Sequence, residues 1–215
     1  MMTAEIENEF RKALDAAVAG FALDSLTEKQ ANQLMRHYSL MSRWNQRINL
    51  TRIIEPREAA KLHYAESLFG ASFIAGARTI LDIGSGGGFP AIPLAVARTD
   101  IRVTALEANK KRALFLKEAK DELELGNLEV ATARLEDFET AGYDLLTSRA
   151  LDRAELAFPP VIERLTRKQR LLLFCGPELV EKLKRVACGA GLEVHSIPMS
   201  DGRHVAVFQS FDKGH

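Results

Sequence analysis

Two patterns of apolar residues divide this chain. Over residues 1–75 apolar positions recur every three to four residues, which predicts helices over 5–19 and 27–47 and another opened by Pro56. In the second of these, Leu34, Tyr38, Met41 and Trp44 form one stripe, and Ser25 or Thr27 offers an N-cap, Thr27 with Gln30 at capping-box spacing. Pro56 suits a first helical turn, where its missing N–H leaves no hydrogen bond unmade.

From residue 78 short apolar runs alternate with helical stretches. The runs RTILDIG, IRVTALE, NLEVATAR, YDLLTSRA and RLLLFCG predict five strands, and LEVHSIPMSDGRHVAVFQS predicts two more joined by a loop at Asp201 and Gly202. Between them lie PAIPLAVARTD, KKRALFLKEAKDELELG (with Gly126 expected just past its end), RAELAFPPVIERLT and PELVEKLKRVACGAG. Strands alternating with helices make a mainly parallel sheet covered on both faces. The expectation is a doubly wound α/β fold with a seven-stranded sheet over residues 76–215, preceded by a helical cap over 1–75.

Composition narrows the class. Apolar residues make up 47% of 215, enough for a sizeable core, and no apolar run is long enough to span a bilayer. The expectation is a monomeric cytoplasmic protein that binds neither membrane nor metal. Cys175 and Cys188 stand far apart without a CxxC or a histidine cluster, as expected of reduced core thiols. With 29 basic and 29 acidic residues the chain is no generic nucleic-acid coat, although a local basic face is compatible with this balance. Arg43, Arg47, Arg52 and Arg57 form one candidate, and Arg164, Arg167, Lys168 and Arg170 another; either can equally be a solvated helix face.

The first strand ends in LDIGSGGGFP. A phosphate-binding P-loop requires Gly-Lys-Ser/Thr, and Phe89-Pro90 stands instead. The dinucleotide pattern GxGxxG is met by Gly84 and Gly86, but its third position falls on Phe89. What remains is acidic-x-Gly-x-Gly-x-Gly, through Asp82, Gly84, Gly86 and Gly88, the pattern of S-adenosylmethionine enzymes; Ser85 and Phe89 complete the candidate loop. Glu107 ends the second strand 25 residues after Asp82, where an acid can accept both ribose hydroxyls of S-adenosylmethionine or of NAD. Leu135 and Glu136, in ARLED after the third strand, fall where an adenine pocket would lie.

With WNQRINLT, HYAESL, LDIGSGGGFPAIPLA, KKRALFL and TSRAL in this order, residues 34 to 177 resemble the ribosomal RNA small subunit methyltransferase G (glucose-inhibited division protein B) family of class I, Rossmann-like methyltransferases. The resemblance implies methylation of N7 of one guanosine in 16S small-subunit ribosomal RNA, free or in an assembly particle. It implies that Arg149 stands at the active-site mouth as catalytic and cofactor-contacting residue, with Asn49, Thr51, Arg52, His63 and Ser67 beside it. Three positions depart from the family pattern: Glu66 replaces an aspartate, Ala91 a glycine, and Cys175 a lysine whose place Lys168 or Arg170 would take. Guanine N7 carries an in-plane lone pair and no proton, so the reaction needs positioning rather than a general base. Competing readings are a methyltransferase of small molecules or proteins, an NAD-dependent oxidoreductase, and a catalytically silent RNA-binding module.

Overall fold

The computed structural model describes residues 4–149, 165–166, 169–187 and 191–209. Arg164, Arg167, Lys168, Cys188 and most of the helix expected after Arg149 lie outside them. The cap begins with α1 (Ala4–Gly20) and α2 (Glu28–Asn45). Thr27 caps α2 through a full capping box: its side chain accepts from the Gln30 N–H, and the Gln30 side chain accepts from the Thr27 N–H. The apolar stripe of α2 is buried through Leu34, Tyr38 and Met41, and Phe10 of α1 stacks on Tyr38 at 4.2 Å between centroids.

Pro56 opens α3 (Pro56–Ala59), with Glu55 as N-cap accepting from the Arg57 and Glu58 amides. The helix then widens into a π turn (Ala60–Ala65), narrows to α4 (Glu66–Gly70) and ends in a 3₁₀ turn (Ala71–Phe73). In the π turn the Glu66 N–H reaches back five residues to the Lys61 carbonyl. The Leu62 carbonyl, four residues back, thereby loses its ordinary α-helical donor.

The sheet contains β1 (Thr79–Ile83), β2 (Arg102–Leu106), β3 (Leu128–Ala131), β4 (Leu145–Ser148), β5 (Arg170–Cys175), β6 (Gly191–Ser196) and β7 (His204–Gln209). Their order is β3-β2-β1-β4-β5-β7-β6. β1 to β5 run parallel, and β7 runs antiparallel to β5 and β6. The strand order therefore reverses between β1 and β4, and the crevice above their carboxyl ends is where such sheets hold ligands. Among the described residues the remaining α-helices are α5 (Ala91–Ala97), α6 (Lys110–Glu122) and α7 (Pro177–Ala187). One apolar cluster runs from Phe10, Leu14 and Tyr38 of the cap to Ile80 and Val103 of the sheet, so cap and sheet share a core.

Two expectations need correction. Gly126 does not terminate α6: the left-handed residue is Glu124, at φ 56°. Around it Leu125 N–H bonds Lys120 O at 3.0 Å and Glu124 N–H bonds Asp121 O at 3.2 Å, a Schellman ending two residues earlier than expected. Arg170 does not stand near the ligand end of the sheet. It opens β5, and its guanidinium donates to the Phe73 and Ala75 carbonyls at 3.4 and 2.6 Å.

Candidate active site

The loop after β1 is drawn tight by its own backbone. Gly84 and Ser85 N–H groups both bond the Leu106 carbonyl, at 2.9 and 3.2 Å, and Gly88 N–H bonds Ser85 O at 2.7 Å. Gly86 and Gly88 take φ of 53° and 87°, which side chains rarely adopt. Their surroundings differ: a Cβ on Gly88 would meet Ile92 Cδ1 at 2.5 Å and His37 Nε2 at 3.3 Å. On Gly86 it would find nothing nearer than Gly84 O at 3.8 Å, so Gly86 faces open space.

Glu107 holds this bare turn. Buried at the end of β2, it accepts the Gly86 N–H at 2.9 Å on one oxygen and the Asn109 N–H at 2.8 Å on the other. A carboxylate has about four acceptor positions, so each oxygen keeps one for an incoming hydroxyl. Open space at Gly86 beside a buried acid fits the sugar end of S-adenosylmethionine. Leu135 and Glu136 lie on a 3₁₀ turn (Leu135–Asp137), Leu135 against the cluster that includes Ile83 and Leu106 at the strand ends.

Asp82 is fully buried behind the loop and does not line the cavity. Neither carboxylate oxygen makes a well-formed hydrogen bond; the Ser85 hydroxyl, which donates to the Asp82 carbonyl at 3.1 Å, and the Ala91 amide stand near it. Burial pushes the acid up to about 7, against the weaker pull of Ser85, the Ala91 amide and Arg149.

In front of the loop lies a cavity of about 430 Å³. It is lined by Gly84, Ser85, Gly86, Gly87 and Phe89 of the loop, Asn49 to Ile53 of the cap, and His63, Arg112, Arg149 and Arg203. Four arginines, Arg52 among them, and no carboxylate stand in that lining. Asn45 shapes the cap loop by accepting the Leu50 and Thr51 amides at 2.8 and 3.0 Å, a role that WNQRINLT carries without announcing it. The Asn49 carbonyl accepts Arg112 at 3.2 Å.

Phe89 is boxed by aromatic rings. His63 stacks on it at 4.4 Å with planes 16° apart, while Tyr64 and His37 approach edge-on. His63 Nε2 bonds the Thr51 hydroxyl at 2.8 Å. Burial, reinforced by Arg149, lowers His63 to about 3, so it is a neutral ring. His37, also lowered to about 3 by burial, bonds the Tyr64 hydroxyl at 2.9 Å. It shares the helix face of Leu34 and Met41, and that spacing is the signal that could have found it.

Arg149, just past β4, reaches into the widened helix. Nη2 donates to the freed Leu62 carbonyl at 2.6 Å and to Glu66 Oε2 at 3.1 Å; Nη1 donates to the His63 carbonyl at 3.2 Å and to Ser67 Oγ at 3.3 Å. Ser67 is buried, donates to the His63 carbonyl at 2.5 Å, and does not line the cavity. Gly88, Glu107, Leu135 and Glu136 are also outside the lining. Of the cap arginines, Arg43 pairs with Glu122 and Arg57 with Glu9, leaving Arg52 as the one of the four that lines the cavity. Arg112 and Arg203, which sequence reasoning missed, join it there. Cys175 is buried, with its thiol 3.7 Å from the His204 carbonyl.

Among the described residues no group of three or more His, Cys, Asp or Glu could hold a metal, and no helix is long and apolar enough to cross a membrane.

The fold resembles that of the O-methyltransferase from Bacillus cereus in complex with SAH, with a TM-score of 0.61 at 15% identity, over 92% of this chain and 97% of that one. It also resembles the Bacillus subtilis tRNA methyltransferase TrmK, with a TM-score of 0.54 at 22% identity, over 68% and 65% of the two chains. The ribosomal RNA small subunit methyltransferase G of Xanthomonas euvesicatoria is 43% identical over 149 residues, 67% of this chain and 70% of that protein. Its counterpart in Neisseria meningitidis is 40% identical over 69% of this chain and 70% of its own. The model of one family, described as rRNA small subunit methyltransferase G, matches residues 30–192. Sequence, sheet order and glycine turn agree, and the chain belongs to the rRNA small subunit methyltransferase G family.

Proposed function

We propose that this chain is an S-adenosylmethionine-dependent methyltransferase acting on N7 of a guanosine in 16S small-subunit ribosomal RNA. The observation that carries the acceptor's class is the cavity lining: four arginines and no carboxylate beside the glycine turn. Such a mouth attracts an anionic acceptor, as RNA is, and repels a cationic one. Bound S-adenosylmethionine supplies an electrophilic methyl group on a sulfonium. Gly84, Ser85, Gly86 and Phe89 would border it, Glu107 would take the ribose, and Leu135 with Glu136 would frame the adenine.

The residues present suit an acceptor that needs no deprotonation. His63 is the imidazole that lines the cavity; at about 3 it is a weak base, and its Nε2 is engaged by Thr51. Among the described residues the lining offers no carboxylate as an alternative base. What the chain provides is position: Phe89 and His63 make a flat wall, and Arg149 fixes the widened helix behind it. Guanine N7 opens into the deep groove of A-form RNA, so the target base must be splayed out or unpaired to enter. Asn49, Thr51 and Arg52, on the cap loop, would meet it. We take the enzyme to act as a monomer in the cytoplasm, on free RNA or on an assembly particle.

The test is transfer of a labelled methyl group to small-subunit ribosomal RNA from a strain lacking the modification, with the labelled atom mapped. Incorporation at guanine N7 is expected. Label confined to protein or to small molecules would overturn the proposal.

A further inference from the structure

Arg149 and Arg203 share one acceptor. Arg203 Nη2 lies 2.9 Å from Glu66 Oε2, and Arg149 Nη2 lies 3.1 Å from the same oxygen. Glu66 is wholly buried, and its other oxygen has no hydrogen-bond partner. Burial raises this acid, and the two guanidinium groups oppose the rise by favouring its charged form. Glu66 thus pairs with two of the four arginines that line the cavity, and the lining itself holds no carboxylate.

The two arginines are committed differently. Both terminal nitrogens of Arg149 are spent on the cap, on Leu62, His63, Ser67 and Glu66, and its side chain is only 12% exposed. The Arg203 side chain is 35% exposed, and among the described residues its charged partner is Glu66. A guanidinium carries five N–H donors in a planar fork, so Arg203 keeps donors for an anion while held by Glu66. Its place is also fixed. Arg203 immediately precedes β7, whose His204 pairs with Cys175 at the carboxyl end of β5. The Arg203 carbonyl accepts the Ile197 N–H at 2.9 Å, closing the β6–β7 connection. This hairpin thus delivers one arginine to the ligand end of the sheet.

We propose that Arg203 binds a phosphate of the ribosomal RNA beside the target base, and that Glu66 is the positioning residue that holds Arg203 and Arg149 together at the cavity mouth. The assignment rests on the RNA methyltransferase reading above. Glu66 orients Arg203 through an ion pair at the wall, and the phosphate engages the donors that remain. The longer side chain at position 66, a glutamate where the related pattern has aspartate, carries the carboxylate to both arginines.

Steady-state kinetics on ribosomal RNA, with cofactor binding measured separately by calorimetry, test the assignment. Arg203→Gln is expected to raise the KM for RNA about tenfold, the loss of one charge-assisted contact, with turnover at saturating RNA changed far less. The slope of log affinity against log salt should fall by roughly one, and S-adenosylmethionine affinity should not move. Arg203→Lys should restore part of the KM and all of the salt slope. Glu66→Gln should raise KM in the native background but add little to Arg203→Gln, because the two act through one contact. An unchanged KM and salt slope in Arg203→Gln would overturn the assignment while native activity on RNA stands. A loss of cofactor affinity would overturn it too, by giving Arg203 to the methionine carboxylate. Native protein that transfers no methyl to RNA would instead sink the function on which the assignment rests.

Discussion

A methyl group added at Gly86 or at Gly88 has different consequences. At Gly88 it collides with Ile92, so Gly88→Ala should destabilise the protein by about 1–3 kcal/mol in urea titrations, through overpacking and a left-handed φ. At Gly86 it enters open space, so Gly86→Ala should cost only about 1 kcal/mol yet weaken S-adenosylmethionine binding at least about tenfold by calorimetry. Equal effects of the two on affinity and stability would contradict this division. Asp82 offers a second residue-scale expectation. Its folded value of about 7 lies above the ordinary 3.8, so its contribution favours folding below about pH 4 and is lost as pH rises through 7. Asp82→Asn, uncharged at every pH, should therefore differ little in stability from the protonated acid near pH 4. At pH 8 it should add on the order of a few kcal/mol. A gain equal at both pH values would show that ionisation is not its cause. Gly86 and Glu107 were legible in the sequence because a bare turn and a strand-end acid are local requirements. Arg112 and Arg203 were not, since their place at the mouth depends on how α6 and the last hairpin meet the cap.

Helix starts were easier to read than helix ends. Thr27 and Pro56 are chemical signals fixed within one turn, and both open helices as the spacing indicates. Gly126 suggests the end of α6, whereas the left-handed residue is Glu124. Substituting Glu124→Gly should stabilise the protein by about 1 kcal/mol in thermal or urea unfolding, by relieving that conformation at an exposed position. Loss of stability would show that the Glu124 side chain contributes more than its backbone costs. The π turn was illegible for a related reason: nothing in AKLHYA demands it locally. Its freed Leu62 carbonyl is satisfied by an arginine 87 positions along the chain, a partner that only the folded sheet supplies.

At the scale of the molecule, alternating strands and helices were enough to give a mainly parallel sheet, and the closing pair of strands its antiparallel edge. The insertion of β7 between β5 and β6 was not available from the pattern, which orders strands along the chain and not across the sheet. The cap of residues 1–75 and the core of 76–215 are expected from the sequence to form one compact unit, and Phe10, Leu14 and Tyr38 share one apolar cluster with Ile80 and Val103. We therefore expect a chain beginning at residue 76 to be unable to fold alone. It should lack a cooperative thermal transition, whereas a sharp melt would establish an autonomous core. The shared core also gives the widened helix a further meaning. An α-helix turns by about 100° per residue, so one residue accommodated in a wide turn rotates everything after it by that angle. In this phase Glu66 and Ser67 point at Arg149. The helix from Pro56 to Gly70 thus behaves as an indexed shaft, in which the number of residues before Glu66 sets where its carboxylate points, and with it the direction from which RNA can be received.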